Sequence, residues 1–219
     1  MKPSIIEMTE QYAFFVFSKK VPPTCYYHNW QHTLAVVASC KVLAQKIALP
    51  PAQKEPLIIA AYLHDVGHAL SLQAHEAAGV VLADRFLHNN DYNAENKKQV
   101  LDCIASTEAG KAPQNILEQI LKDADLCSLG AEDGLLWSER LRLEWELLLG
   151  KCYTDVQWWE LNIDFYEKHN YYTHAARQLY EPTKQANLRK MNQLLSQLNT
   201  ELSQKHNKHM SENILNIKK

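Results

Sequence analysis

Apolar positions recur at three- and four-residue intervals along most of the chain, and no stretch alternates strictly enough to predict a substantial sheet. Residues 4–18 carry one such stripe, which Pro22-Pro23 ends. From Asn29 to about Ile47, Leu34, Val37, Ala38 and Val42 form the apolar face of a second helix, stopped at Leu49-Pro50-Pro51. Pro56 suits the first turn of a third, running through Leu57, Ile58, Ala61 and Tyr62 to a C-terminal stop at Gly67. Further helices are predicted at 71–88, 94–107, 114–127, 131–149, 155–168 and 173–204, the last broken or restarted at Pro182. His88 to Asn93 reads as a loop. The pattern predicts an all-α, single-domain bundle over residues 1–200, with 201–219 a loose polar tail or a fraying helix end.

Composition narrows the function classes. The 219 residues carry a net charge of only −2, so no extended nucleic-acid surface is expected. Apolar residues at 46% and charged residues at 22% suit a globular protein with a real core. Six glycines speak against a Gly-rich phosphate loop. No apolar run approaches the roughly 18 residues of a membrane span. The N-terminal segment contains Glu7 and Glu10 and lacks a small-residue cleavage site, so no signal peptide is read there. The cysteines (25, 40, 103, 127, 152) are odd in number, scattered and free of any CxxC pair. They read as buried thiols of a reducing compartment, and the expected location is the cytoplasm.

The ten histidines point to chemistry. His28 and His32 lie four apart at the start of one helix, and His64 and His68 four apart at the end of another, so each pair shares a helix face. Asp65 adjoins His64 in a very apolar frame, Ile58 to Leu70, where a carboxylate and imidazoles are costly unless a cation compensates them. Asp65 and His64 differ by about 100° around a helix axis. Both reach one ion if the helix unwinds slightly before Gly67. Another acid comes from Asp123 or Asp125, two apart and so facing different ways. A helix cap or surface place suits Asp123 better. A single core histidine is the plainer reading of any one of these residues, but two pairs with an adjacent acid favour a metal site.

These residues, in the order H…HD…D, resemble the HD-domain superfamily of metal-dependent phosphohydrolases. The likeness runs from about residue 25 to 195. It includes Tyr-His-Asn-x-x-His (27–32), Ala-x-Leu-His-Asp-x-Gly-His (61–68), His-Glu (75–76), Asp-Ala-Asp-Leu-x-x-Leu-Gly (123–130) and Leu-Arg-Leu-Glu (141–144), as in small bacterial stand-alone HD proteins. It implies an HD-type bundle with a metal-site core at about 25–130 and C-terminal helices at 131–200. The implied metal ligands are His32, His64, Asp65 and Asp125, the Ala-Asp-x-Leu frame selecting Asp125. The tyrosine-led first motif is also similar to that of the cyclic-nucleotide phosphodiesterases, in which the residue matching His28 donates a proton to the leaving oxygen. One departure is Thr107, which stands where a further ligand histidine often does. A second metal then lacks its full set, with His68 and His75 as partial substitutes and Glu76 beside them, which counts against the di-iron oxygenases.

The implied cofactor is a divalent ion, Mg²⁺, Mn²⁺, Fe²⁺, Ni²⁺ or Zn²⁺, among which spacing does not choose. Such an ion acidifies water and polarises a phosphoryl oxygen. The implied reaction is hydrolysis of a phosphomonoester or phosphodiester, a small phosphorylated substrate expected to be a nucleotide. Asp65 would orient the water or take its proton, and His28 and His68 would protonate the leaving group or contact phosphate. Lys122 and Arg142, with Lys111 and Arg140, are basic candidates for the substrate, although a solvated charge is the plainer reading of each. Loops 88–93 and 108–113 are expected to supply pocket walls. The alternative class is a non-catalytic HD-fold sensor of a nucleotide or metal that acts through a protein partner. An interaction scaffold would use Trp137, Trp145, Trp158 and Trp159, more simply read as core. His88 reads as surface, and His206 and His209 as tail. His169 and the turn Tyr171 to His174 either approach the site or cap the last helix through Thr173.

Overall fold

The computed structural model describes the backbone of residues 3–217 and the side chains of 3–205, and no strand occurs among them. The helices are α1 (Ile5–Lys19), α2 (Trp30–Lys46), α3 (Pro51–Leu63), α4 (His75–Asn89), α5 (Ala94–Ser106), α6 (Ile116–Asp125), α7 (Gly134–Leu149), α8 (Asp155–Lys168) and α9 (His174–Ile217). Short 3₁₀ turns at Val66–Ala69 and Cys127–Gly130 follow α3 and α6. Side-chain caps set several starts: Ser4 with Glu7 forms a capping box, and Asn29, Asn93 and Asn115 each accept from two backbone amides of the following turn.

The architecture is an all-α bundle centred on α3. Residues 56–63 of that helix are all buried, and α1, α2, α5 and α6 pack around it. A second apolar cluster joins Leu129, Trp158, Trp159, Tyr166 and Met191 where α8 lies along α9. Trp158 and Trp159 are therefore core, and Trp145 meets Trp158 edge-on at 5.9 Å. Trp137 meets Tyr27 edge-on at 5.6 Å, so these tryptophans pack inward.

Several expectations shift. Helix α3 begins at Pro51, in the N1 place, so Pro56 stands inside the helix. It ends at Leu63 rather than Gly67, and α4 starts at His75 rather than residue 71. The predicted 114–127 helix resolves into α6 and a 3₁₀ turn. Helix α9 passes through Pro182 without a break, and its backbone stays helical to Ile217, where a loose polar tail was expected. The side chains of His206 and His209 lie outside the described residues. The buried face of α2 is rotated from the predicted stripe: Leu34 and Val42 are exposed, while His32, Val36, Val37, Cys40 and Leu43 turn inward. The physical reason is that His32 must face the centre described below, which fixes the helix's rotation.

Helix α9 is fastened at two points. Asp123, fully buried, accepts from the Tyr172 and Thr173 amides at 2.7 and 2.8 Å and from Thr173 Oγ1 at 2.7 Å. Thr173 Oγ1 in turn accepts from the Ala176 amide, capping α9. Asp123 is thus no surface carboxylate. Farther along, Asn187 donates to the carbonyls of Leu129 and Ala131 at 3.0 and 2.8 Å.

Two tests follow from this packing. A Cβ on Gly67 would lie 1.8 Å from the His75 carbonyl oxygen and 2.4 Å from the Gly79 nitrogen, backbone atoms that cannot yield. Gly67→Ala is expected to cost about 1–3 kcal/mol or more, read as a lower thermal midpoint. His169, packed between Phe165 and Tyr171, is held by burial, and by the nearby Lys184 ammonium, at a pKa of about 4 instead of 6.5. The unfolded chain therefore binds this proton first. Its contribution to stability is complete above about pH 6.5 and is lost as pH falls towards about 4. Chemical denaturation at pH 7 and pH 4.5 should show a smaller acid loss in His169→Phe than in the wild type.

Candidate metal centre

Helix α2, the turn that ends α3 and helix α6 deliver the four ligand candidates. His32 stands in the first turn of α2, where Asn29 Oδ1 accepts its backbone amide. The Tyr27 ring lies against its imidazole, centroids 4.8 Å apart. His64 follows the last residue of α3, and its Nδ1 meets the Ala61 carbonyl at 2.8 Å, so Nδ1 donates and Nε2 faces inward. Asp65 leaves helical geometry at φ −106° and ψ 3°. The unwinding expected near Gly67 thus occurs at Asp65 itself, and it turns two adjacent side chains to one point. Asp125 is the last residue of α6.

One donor atom from each of His32, His64, Asp65 and Asp125 lies within 4.8 Å of all the others. His32 Nε2 is 3.1 Å from Asp125 Oδ1 and 3.5 Å from Asp65 Oδ2. His64 Nε2 is 3.1 Å from Asp65 Oδ2 and 3.4 Å from both Asp125 Oδ1 and His32 Nε2. Bonds of about 2.0–2.2 Å to a common ion put neighbouring donors about 2.8–3.6 Å apart. Buried Asp65 Oδ2 has no hydrogen-bond partner. Burial opposes charge on His64, yet the Asp65 and Asp125 carboxylates outweigh it and raise its pKa well above the ordinary value. Burial likewise opposes charge on Asp65, and the neighbouring imidazoles, His64 foremost, hold it well below the usual carboxylate range. The cluster demands positive charge at its centre, and its mixed nitrogen and oxygen donors fit a divalent cation.

A second arrangement adjoins the first. His28, His68 and His75 form a stack, with centroids 4.3 Å apart for the first pair and 4.0 Å for the second. Asp65 Oδ1 looks towards it, 4.0 Å from His68 Nε2 and 3.8 Å from His75 Nε2. Burial, joined by the flanking His28 and His75, pushes the pKa of His68 down to about 3, against the pull of Asp65. Both of its nitrogens lack partners, as does His75 Nδ1. Glu76 Oε1 is 3.4 Å from His75 Nε2. Thr107 lines the adjoining cleft, but its hydroxyl donates to the Ile104 carbonyl.

Glu144, the last residue of the Leu-Arg-Leu-Glu motif, lies on α7 and has a contact that the motif did not assign. Its carboxylate takes His28 Nδ1 in a close contact and accepts the amides of Tyr27 and His28 at 2.8 and 3.0 Å. Burial opposes a charge on His28, but the bond to Glu144 and the Asp65 carboxylate outweigh it and raise the pKa. The motif marks the residue, but nothing local points to a partner 116 residues away.

Three of the four basic candidates are employed elsewhere, and Lys111 is exposed outside the cleft lining. Arg142 donates to the Tyr153 carbonyl at 2.6 Å and pairs with Asp155 at 2.9 Å, bracing the link from α7 to α8. Lys122 donates to the Ser106 and Glu108 carbonyls. The Arg140 guanidinium lies over the Trp137 ring. Of the loops expected to form walls, Ala109 takes part and residues 88–93 do not; α7 and α8 supply the wall instead. His169 lies outside the cleft lining, His174 is exposed, and Thr173 serves as the cap.

The all-helical bundle gathers H…HD…D at one point, and the segment that supplies these residues carries the match to a known family. Residues 29–130 match the family described as HD domain. The fold also resembles the crystal structure of a "predicted HD superfamily hydrolase" from an uncultured Thermotogales bacterium. Identity is 18%, the match covers 88% of this chain and 92% of that one, and the TM-score is 0.58. No curated protein matches the chain. Among the described residues, no helix is long and apolar enough to cross a membrane.

His64→Ala is expected to lose the bound divalent ion while retaining the helical circular-dichroism signal. Elemental analysis of the purified variant against wild type checks this.

Proposed function

We propose that the protein is a metal-dependent phosphohydrolase that cleaves a phosphomonoester or phosphodiester of a small molecule. One observation carries the reading: the four converging donors adjoin the stacked histidines at the end of a cleft of about 350 Å³. In the overall reaction water adds to phosphorus, the phosphorus–oxygen bond to the alcohol breaks, and the alcohol leaves with a proton. The ion, when bound, supplies charge that polarises a phosphoryl oxygen and acidifies water.

The chain's own residues divide the rest. Asp65 turns Oδ2 to the donor cluster and Oδ1 to the histidine stack, a position from which it orients water and takes its proton. With Nδ1 of His28 engaged by Glu144, Nε2 is left to deliver a proton to the leaving oxygen. Glu144 acts through His28, by fixing its ring and favouring its protonated form. Neutral His68, with both nitrogens unpaired, offers one N–H to a phosphoryl oxygen. Nucleotides stay among the candidate substrates for this chemistry.

After metal repletion, p-nitrophenyl phosphate and bis(p-nitrophenyl) phosphate test the assignment directly. Asp65→Ala should reduce turnover by more than about 10²-fold; equal activity in variant and wild type overturns the reading. Glu144→Gln should keep the ion, by elemental analysis, while kcat falls by roughly 10²-fold.

A further inference from the structure

The cleft leading from the donor cluster changes character along its length. Its near end carries His28, His68, His75, Glu76 and Asp125. Its far wall is Leu141, Trp145, Leu148, Leu149 and Phe165, and among the described residues no lysine or arginine lines it. Lys151 sits over the Trp145 ring at 5.1 Å but outside that lining.

Two polar side chains of the far wall, Ser138 and Asn162, are engaged with each other and with Trp158. Ser138 Oγ donates to Asn162 Oδ1 at 2.7 Å and accepts from Trp158 Nε1 at 3.1 Å. Asn162 Nδ2 donates to the Trp158 carbonyl at 2.8 Å. Nearer the centre, the hydroxyls of Tyr27 and Ser128 pair at 3.1 Å. Buried atoms without partners gather instead at the near end, Asp65 Oδ2, both nitrogens of His68 and His75 Nδ1, the others (His169 Nδ1 and Asn187 Oδ1) belonging to residues outside the cleft lining. A site that reads a nucleobase presents free donors and acceptors to its edges, because an unmatched buried polar group is costly. A di- or triphosphate calls for several cationic contacts. Along its far wall this cleft has no cationic contact, and its polar side-chain atoms are few: beside the paired Ser138 and Asn162 it offers only the Tyr166 hydroxyl and the Trp145 indole N–H.

We propose that the substrate is an ester of a single phosphoryl group with an apolar alcohol. The phosphoryl group lies at the histidine end, and the hydrocarbon runs along Leu141, Trp145 and Leu148. The ester-cleaving part rests on the hydrolytic reading above; the distribution of binding chemistry does not.

Binding of non-hydrolysable probes to the metal-repleted full chain, followed by calorimetry, tests this. (1-Naphthylmethyl)phosphonate should bind at least about tenfold more tightly than methylphosphonate, from burial of its apolar rings. The methylenephosphonate analogue of adenosine 5′-monophosphate, in which a carbon replaces the ester oxygen, should show no such advantage. Leu148→Asn should remove most of the naphthyl advantage, with folding checked by circular dichroism. Phe165→Ala, at the exposed mouth, supplies an independent variant and should reduce it severalfold. The proposal is overturned if the nucleotide analogue binds as tightly as the naphthyl probe, or if both variants weaken all three probes equally. Hydrolysis of 1-naphthyl phosphate separates the two readings. Selective probe binding without cleavage of any ester removes the hydrolytic reading and leaves the cleft assignment; cleavage without naphthyl preference does the reverse.

Discussion

Two carboxylates and two imidazoles are held with neighbouring donor atoms 3.1–3.5 Å apart, on side chains of which only Asp125 has appreciable exposure. Such a cluster cannot be stable as bare charges in a low-dielectric interior, since each buried carboxylate needs a compensating positive charge. Most of the N-terminal half serves this constraint. Asn29 fixes the turn that presents His32, the Ala61 carbonyl orients His64, and α3 is abandoned at Leu63 so that Asp65 can swing round. The apolar burial of α3 offsets the cost by anchoring the helix on several sides, with its C-terminal end left for the centre.

The histidine stack depends on a different economy of space. Because Gly67 carries no Cβ, the 3₁₀ turn comes directly against the start of α4, bringing His75 onto His68. The C-terminal half adds the other flank. Helix α7 crosses to place Glu144 on His28, and α8 closes the apolar side of the cleft. The histidine stack and Asp65 thus come from the first half of the chain, while Asp125, Glu144 and most of the apolar wall come from the second.

Much of this was legible in the sequence, for identifiable reasons. Helical periodicity places all the α-helices, because most bury one apolar stripe each. The H…HD…D order marks His32, His64, Asp65 and Asp125, which the structure brings together. The rotation of α2 was not legible, because its inward face includes His32, Thr33 and Ser39, polar residues that periodicity assigns to solvent. Pro182 reads as a break, yet packing of α9 against α8 carries the helix through it. Lys122 and Arg142 read as free charges, and only the folded loops show the carbonyls that occupy them. Leu-Arg-Leu-Glu marks Glu144, but its pairing with His28 escaped because the two are 116 residues apart, a distance that no local pattern spans.

The buried carboxylate of Asp123 has a larger reach than a helix cap suggests. It joins α6 to the start of α9 two residues before Asp125, so the two acids share one short rigid segment with opposite duties. Free energy is a state function, and any preference of the ion for the docked form of α9 must equal the preference of docked α9 for the ion. The last helix is therefore thermodynamically linked to the centre, although it contributes no ligand to it.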